Sequence, residues 1–415
     1  MTSVVKVSAG QAGSGWLLCL FLTTFVIGTD DFVIAGMLPE IASDLNVSEA
    51  AAGQLVTVFS VTYAIAAPPL AVATARLPRK PVIVGGLAVF ALANAITALA
   101  PHHTALTVMR VLTALIAATI TPAVFALAAR ASAPERVGRA MGTVAAGLTV
   151  SLFIGVPVGT LLSSAHGWRV TFLAVALAST AVALVSLRIL PALPGAPEIG
   201  VRQQLRALSR PAVLLCVAGT VLGASSGLMT YTYIAPLTHD LTGRDGSVLA
   251  LFISVIGVSG ALGTYLCGRL TDRWGSDRTL ITTFTGLVTA TAALALIGTL
   301  THGAPIWLVV IVLAVWGFTG WGFNPPMNAR ALELARGAEA EAVALNTSGL
   351  YLGIAVAGAL GGWALSHHDG TGVAVTAAAV GVVAALVIVA SVHRYPTAAP
   401  VQSPSTGRKP IRSTS

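Results

Sequence analysis

The chain has 415 residues, of which 55% are hydrophobic and only 9% are charged. Soluble domains carry about 25% charged residues, so this composition excludes an ordinary water-soluble protein. The formal net charge of +8 is compatible with binding to nucleic acid or to a membrane surface, and the positions of the charges decide between the two.

The apolar residues form long uninterrupted blocks. A helix of about 20 residues crosses the ~30 Å hydrocarbon core, and only helices or closed barrels satisfy their backbone groups inside lipid. Barrel strands would alternate polar and apolar residues, which these blocks do not do. We therefore predict an all-α membrane protein with twelve transmembrane helices, called spans 1 to 12. They cover residues 16–38, 51–75, 81–100, 104–128, 140–163, 169–190, 212–236, 247–270, 279–300, 305–326, 341–365 and 371–392.

The positive charges lie almost entirely in one alternate set of loops, while the other set holds only Arg169 and Arg244. Cytoplasmic loops carry the excess of Lys and Arg, so this pattern predicts a plasma-membrane protein with both termini in the cytoplasm. The charge is thus a topology signal, and no nucleic-acid partner is expected. The cytoplasmic set comprises Lys6, Arg76, Arg79, Lys80, Arg130, Arg136, Arg139, Arg188, Arg202, Arg206, Arg210, Arg269, Arg273, Arg278, Arg330, Arg336, Arg394, Arg408, Lys409 and Arg412.

The chain repeats itself after its longest polar stretch between spans. Span 1 ends in GMLPEIASDL (36–45), and span 7 ends in the similar YIAPLTHDL (233–241). Two parallel repeats are typical of transporters that rock around a central site, so we predict two pseudo-symmetric six-helix bundles around a central cavity. The predicted parts are an N-terminal bundle (1–190), a cytoplasmic linker (191–210), a C-terminal bundle (211–396) and a disordered cytoplasmic tail (397–415).

Three ionisable residues lie well inside the predicted spans: Asp30 and Asp31 in span 1, and Arg110 in span 4. A charge at the bilayer centre costs at least ~2.5–3.5 kcal/mol, so such residues need a partner and usually have a function. Asp31 and Arg110 lie at similar depths, roughly 12 and 9 Å at 1.5 Å per residue. One carboxylate can therefore pair with Arg110. Adjacent helical residues point ~100° apart, so the other must face elsewhere. The alternative is that one Asp only neutralises Arg110.

The turn after span 8 has the sequence GRLTDRWGSDR (268–278). Gly268 and Gly275 permit close backbone approach. Asp272 is suited to accept hydrogen bonds from the N-terminus of a neighbouring helix, and Arg273 and Arg278 can pair with it or with lipid. If these contacts form in only one access state, the turn is a conformational latch. The alternative is a solvated turn that only fixes topology.

Span 5 contains GLTVSLFIGVPVGTLL (147–162). Gly155 and Gly159 are four residues apart and lie on one face, which allows a partner helix to pack closely. Pro157 is expected to kink the helix. The alternative interpretation of the two glycines is helix packing alone.

These motifs resemble those of the major facilitator superfamily. The 268–278 turn is similar to its loop motif G-x-L-x-D-R-x-G-R, although Ala75 replaces the acid in the first-half counterpart. Span 5 resembles the antiporter motif G-x-x-x-G-P-x-x-G-G of twelve-span drug:proton antiporters, with Thr160 for the last Gly. GTDDFVIAGMLPEIASDL in span 1 resembles the GTTEF opening of chloramphenicol-type and sugar or arabinose-type exporters, with Asp31 in place of the Glu and Asp30 in place of a Thr.

The resemblance implies a proton-coupled exporter of small organic molecules, such as a phenicol-type drug, in which Asp31, Asp30 and Arg110 couple the proton. A sugar or metabolite exporter is the alternative, and a membrane enzyme or receptor built on interfacial histidines is a remote one. The resemblance implies a monomer whose partners are protons, a small-molecule substrate and the bilayer. No cofactor or metal is expected, because the three cysteines have no ligand spacing. Spans 7 and 10 line the cavity of the resembled fold, and their candidate substrate contacts, which could instead be packing residues, are Met229, Tyr231, Trp316, Trp321 and Asn324.

Overall fold

The protein is described here by a computed structural model that covers residues 15–74, 76–133, 137–194, 210–301, 303–335 and 339–397. Most of the predicted linker (195–209) and nearly all of the predicted tail (398–415) lie outside the described residues. Ala75, which replaces the acid in the first-half turn, also lies outside them. The same is true of eight basic residues that the topology prediction used: Lys6, Arg136, Arg202, Arg206, Arg336, Arg408, Lys409 and Arg412.

The described part of the chain is helical, with 11 helices long and apolar enough to cross a membrane. The last of them changes direction at Asp369, where φ is 67°, and therefore supplies two spans. The described residues thus contain the twelve spans that the sequence predicts. The helices are Gly15–Phe32, Leu38–Leu45, Glu49–Ala73, Arg79–Thr97, His103–Ala131, Val137–Val150, Val156–His166, Trp168–Ile189, Pro211–Thr232, Ile234–Thr242, Ser247–Trp274, Ser276–Leu300, Ile306–Gly322, Asn324–Ala335 and Glu339–Arg394.

Spans 1 and 7 break in the same way. After Phe32 span 1 continues as a 3₁₀ turn and then as the short helix Leu38–Leu45. After a break at Tyr233, span 7 continues as the short helix Ile234–Thr242. Pro39 and Pro236 lie in the first turns of these short helices, where backbone N–H groups have no partner within the helix. The repeat seen in the sequence is therefore also a repeat of shape.

Span 5 bends just before its proline. The helices Val137–Val150 and Val156–His166 are joined by a π-helical turn, Ser151–Gly155. Pro157 lacks an N–H group and its ring crowds the carbonyl four residues earlier, so a wider turn relieves the contact. The structure thus shows a local distortion of the helix at the position where the sequence predicts a kink.

Span 10 is longer than the sequence predicts. We expected it to end at residue 326, but after Phe323 it continues as Asn324–Ala335. Arg330, expected in a cytoplasmic loop, is consequently buried. Its guanidinium pairs with Asp277 and donates to the carbonyl oxygens of Ser391 and Tyr395. Asp277 neutralises the charge of Arg330 inside the protein. A hydropathy pattern counts Arg330 as an isolated charge and therefore ends the span too early.

Within the described ranges, the apolar core shared by the two halves lies toward one end of the molecule. We call the end where span 1 begins and span 12 ends the terminus face, and the opposite end the far face. The largest cluster of buried apolar side chains combines residues of both halves toward the far face. Two other clusters lie toward the terminus face, and each belongs to one half, except that Tyr351 of span 11 packs against the first half. The far face is therefore closed in this structure.

Candidate functional site

The first half contains a buried ion pair at the predicted position. Asp30 Oδ2 lies 2.8 Å from Arg110 Nη1, and the two side chains are 0% and 1% exposed. Arg110 Nη1 also donates to the Asp30 carbonyl oxygen at 3.3 Å. The guanidinium carbon lies 4.3 Å from the centre of the Phe59 ring, which adds a cation–π contact. Spans 1, 2 and 4 thus hold one carboxylate and one guanidinium in fixed positions.

Asp31 faces away from this pair. Adjacent helical positions point ~100° apart, so its carboxylate is directed into a small cavity between the halves. Phe32, Tyr231 and Ile354 also line that cavity, whose volume is about 10 Å³, roughly the space that one water molecule requires. Asp31 Oδ2 accepts a hydrogen bond from the Tyr351 hydroxyl at 3.3 Å. This cavity beside Asp31 is therefore too small for a drug-sized solute in this structure.

Three aromatic rings cluster at the cavity, Phe32 from span 1 and Tyr231 and Trp321 from the second half. The rings of Phe32, Tyr231 and Trp321 meet edge to face, with centres 5.6 to 6.3 Å apart. Within the described residues, the Tyr231 hydroxyl and the indole N–H groups of Trp316 and Trp321 have no hydrogen-bond partner although all three atoms are buried. Buried polar groups are nearly always paired in a resting site, so these three donors are available to a ligand with acceptor atoms.

The other two predicted cavity residues have different surroundings. Met229 packs against span 11, where a Cβ atom on Gly361 would come within 2.9 Å of Met229 Cγ. The Asn324 side-chain oxygen accepts a hydrogen bond from Asn328. Asn328 in turn accepts from Asn346 of span 11, and Asn346 accepts from the Thr220 hydroxyl of span 7. A chain of neutral amides therefore connects spans 7, 10 and 11.

The predicted latch residues are solvent-facing in this structure. Asp272, Arg273 and Arg278 are exposed, and no ion pair joins them to another described residue. Gly275, at φ 87°, makes the turn itself, whereas Gly268 has space around it. The acid that holds the turn is Asp277, five residues after Asp272, through its pair with Arg330.

The glycines of span 5 make close contacts with span 1. A Cβ atom on Gly155 would lie 2.0 Å from Thr29 Oγ1, and one on Gly159 would lie 2.5 Å from Val33 Cγ2. On its other side the π-helical turn touches span 8, because a Cβ atom on Gly257 would lie 2.5 Å from Phe153 Cα. Span 5 thus connects the helix that carries Asp30 and Asp31 to the second half.

Sequence reasoning did not select Tyr63 or Tyr351. Their rings stack across the two halves, with centres 3.8 Å apart and planes 22° apart. Both occur in apolar spans as ordinary amphipathic aromatics, and nothing in a single sequence shows that two positions 288 residues apart along the chain meet. Arg330 was missed for a different reason, because its partner Asp277 lies on another span.

Twelve spans in two repeated halves, with a buried carboxylate at the centre, define this protein as a polytopic membrane transporter. Residues 20–342 match the family model described as Major Facilitator Superfamily. The chain is 31% identical over 382 residues to the inner membrane transport protein YdhP of Escherichia coli K12, with 92% of this chain and 96% of the relative covered. It is 29% identical over 360 residues to a chloramphenicol resistance protein of Streptomyces lividans, covering 85% and 90% of the two chains.

Solved structures agree with this assignment. The nucleoside transporter NupG superposes with a TM-score of 0.76 at 13% identity, covering 91% of this chain and 99% of that one. The D-xylose-proton symporter superposes with a TM-score of 0.74 at 15% identity, covering 91% and 97%. The chain belongs to the Major Facilitator Superfamily and is a transporter of small molecules, not an enzyme.

Proposed function

We propose that the protein is a proton-coupled exporter of small organic molecules in the plasma membrane, with both termini in the cytoplasm, that works by alternating access. The observation that carries this proposal is the count of buried charges in the first half. Asp30 and Asp31 supply two carboxylates, and among the described residues Arg110 is the one cation that interacts with them.

A proton is needed to balance these charges. If both carboxylates were ionised, the buried site would carry a net negative charge, and an uncompensated charge in a membrane protein interior is costly. The guanidinium bonded to Asp30 favours the ionised form of that carboxylate. Asp31 lies toward the cavity, where water or a substrate reaches it when a gate opens. Asp31 is therefore the proposed proton carrier, and the Asp30–Arg110 pair is its fixed electrostatic background.

The second half, together with Phe32 of span 1, supplies the proposed substrate contacts. Phe32, Tyr231 and Trp321 offer ring faces to an apolar or aromatic group. The unpaired donors of Tyr231, Trp316 and Trp321 suit acceptor oxygens. Phenicol drugs combine an aromatic ring with nitro, amide and hydroxyl oxygens, and one relative of this chain is named a chloramphenicol resistance protein. This combination supports a phenicol-type substrate.

A sugar or metabolite exporter is the second candidate. The amide chain through Asn324, Asn328 and Asn346 favours it, because neutral amides donate to and accept from hydroxyl groups. Either solute would be exported by the same coupling. One proton entering down 100 mV releases ~2.3 kcal/mol, enough for roughly a 50-fold gradient of a neutral solute at about 1.4 kcal/mol per tenfold.

The proposal is tested by proton release from inverted membrane vesicles whose interior has been made acidic. A pH-sensitive dye reports the gradient while phenicols, sugars and lipophilic cations are added in turn. We expect at least one phenicol or sugar to dissipate the gradient with the wild type but not with Asp31→Asn. Solute movement without proton movement in the wild type would overturn proton coupling. An Asp31→Asn variant that couples like the wild type would overturn the assignment of Asp31.

A further inference from the structure

Asp31 receives its hydrogen bond from the opposite half of the molecule. Asp31 is on span 1, and the Tyr351 hydroxyl that donates to its Oδ2 at 3.3 Å is on span 11. Among the described residues no other hydrogen bond reaches this carboxylate. The ionised form of the proposed proton carrier is thus stabilised by a group that belongs to the other moving body.

Tyr351 lies at the inner end of the contact between spans 2 and 11, where it packs against both the cluster that joins the halves and the terminus-face cluster of the first half. Its ring stacks on Tyr63 of span 2 at 3.8 Å. Nearer the far face, Gln54 of span 2 donates to the Gly358 carbonyl of span 11 at 3.1 Å, and a Cβ atom on Gly358 would lie 2.1 Å from Thr57 Oγ1. Spans 2 and 11 are therefore in close contact along this stretch. A separation of these spans on opening of the far face would withdraw Tyr351 from Asp31.

We propose that Tyr351 is an access-dependent hydrogen-bond donor that stabilises the ionised carboxylate of Asp31 only while the far face is closed. The inference rests on the proposed function, because it assumes that Asp31 carries the proton. With the far face closed, the donated bond favours release of the Asp31 proton to water at the terminus face, and Tyr351 keeps its own proton. With the far face open, the donor is gone and Asp31 binds a proton more tightly.

The other groups near Asp31 do not supply this difference. Arg110 and Asp30 belong to the first half and move with Asp31, so their effect is similar in both access states. Tyr231 lines the same cavity from span 7, but its hydroxyl is not bonded to Asp31. Tyr63 belongs to the first half with Asp31 and interacts with both Asp31 and Tyr351, so its own contribution moves with the carboxylate. Tyr351 is therefore the group whose contact with the carboxylate changes when the halves move.

The test is an infrared titration of carboxyl groups in the purified full-length chain. The band that disappears in Asp31→Asn identifies Asp31. In Tyr351→Phe, which keeps the stacked ring, we expect the midpoint of that band to rise by about one pH unit, a tenfold change in proton affinity, because a hydrogen bond to a charged group is lost. Tyr231→Phe, the matched control, should leave the midpoint unchanged. An unchanged midpoint in Tyr351→Phe would overturn the inference.

A second measurement separates this coupling from a local packing effect. The variant Thr57→Cys/Gly358→Cys is oxidised to hold the far face closed, and the titration is repeated. Cross-linking should lower the midpoint of Asp31 when Tyr351 is present and should have no effect in the Tyr351→Phe background. Equal shifts in both backgrounds would contradict the role of the hydroxyl. If Asp31→Asn removes no titrating band, the proposed function itself fails, whatever Tyr351 does.

Discussion

Arg110 is the residue on which the buried charge of the first half depends. Its guanidinium is fully buried and bonded to Asp30. Removing one partner of a buried pair typically costs about 3–5 kcal/mol, because the other is left charged and unpaired, whereas removing both costs much less. The Asp30–Arg110 pair is therefore expected to affect the stability of the protein independently of any role in transport.

We predict that Arg110→Gln and Asp30→Asn each lower thermal stability strongly, and that the double variant Arg110→Gln/Asp30→Asn recovers much of the loss. Unfolding of the detergent-solubilised protein, followed with a thiol-reactive dye, measures this. Asp31→Asn is the control on the adjacent residue and should destabilise far less, since Asp31 has no cation bonded to it. Additive losses in the double variant would mean that Asp30 and Arg110 do not depend on each other.

Two acids on the short helix after span 1 should respond to pH in opposite ways. Burial raises the pKa of Glu40, and the nearby Asp245 adds to this effect. A hydrogen bond from Arg169 holds the pKa of Asp44 below its ordinary value. The stability that Glu40 contributes is therefore present below its ordinary pKa of about 4.3 and is lost as pH rises. The stability that Asp44 contributes is present above its ordinary pKa and is lost as pH falls.

Glu40→Gln should consequently raise the unfolding temperature by a few degrees at pH 7, and the gain should vanish near pH 4. Asp44→Asn should lower the unfolding temperature slightly at pH 7. Thermal unfolding of both variants across this pH range provides the comparison. A gain from Glu40→Gln that is equally large at pH 4 would show that ionisation of Glu40 is not its cause.

The buried charged site shows which features can be predicted from the sequence residue by residue and which cannot. Asp30, Asp31 and Arg110 stand out in the sequence because charge is expensive in a membrane, and helix geometry predicts that the two carboxylates diverge. Which carboxylate meets Arg110, and that Tyr351 meets the other, depends on the packing of spans 1, 4 and 11. That packing is set by side-chain shape over long sequence separations, which hydropathy does not contain.

At the scale of elements, spans 1 and 5 are brought together by small residues. A Cβ atom on Gly147 would lie 2.3 Å from the Phe21 carbonyl oxygen, a backbone atom that has no rotamer with which to move away. The same helix contains Gly142, which has no atom within 4 Å of an added Cβ. The two glycines therefore provide a matched pair in one helix.

We predict that Gly147→Ala destabilises the protein by about 1–3 kcal/mol, the usual cost of overpacking, while Gly142→Ala is nearly neutral. Thermal stability and the yield of monodisperse protein measure the difference. Similar yields and melting temperatures for the two variants would contradict the close contact between spans 1 and 5.

Element boundaries show what hydropathy does and does not specify. The apolar block 305–326 predicts the start of span 10 well, because the helix begins at Ile306. Its continuation as far as Ala335, the last described residue before the gap at 336–338, is hidden because Arg330 resembles a loop charge until Asp277 is placed beside it. A distortion of span 5 near Pro157, by contrast, can be expected from the sequence, because its cause is local.

At the scale of the whole molecule, the two halves have similar helix arrangements but carry different polar groups. The first half holds the charged groups beside the cavity, and the second half contributes the indole and phenol donors and the neutral amides. The twofold repeat of the spans is visible in the sequence, but the closed far face is a property of one access state. A sequence encodes all the states of a transporter at once and therefore does not indicate which one is populated.

Closure of the far face can be tested by cross-linking. A Cβ atom on Gly358 would lie 3.3 Å from Thr57 Cβ, close to the ~3.5–4.5 Å of a disulfide. We predict that Thr57→Cys/Gly358→Cys, in a background without Cys19, Cys216 and Cys267, forms a disulfide on oxidation and loses at least 90% of transport, as expected if the far face must open. Each single-cysteine variant is a control, and reduction should restore activity. A fully oxidised double variant that still transports would rule out this interface as the gate.

The most direct test of proton coupling at Asp31 is the number of protons released when substrate binds. The purified protein, in weakly buffered detergent solution, is mixed with the solute that dissipates the gradient most strongly in vesicles, and the pH change is recorded. We predict up to one proton released per bound solute for the wild type, and none for Asp31→Asn at the same occupancy. Equal release by the two proteins, or binding by the wild type without release, would contradict the account.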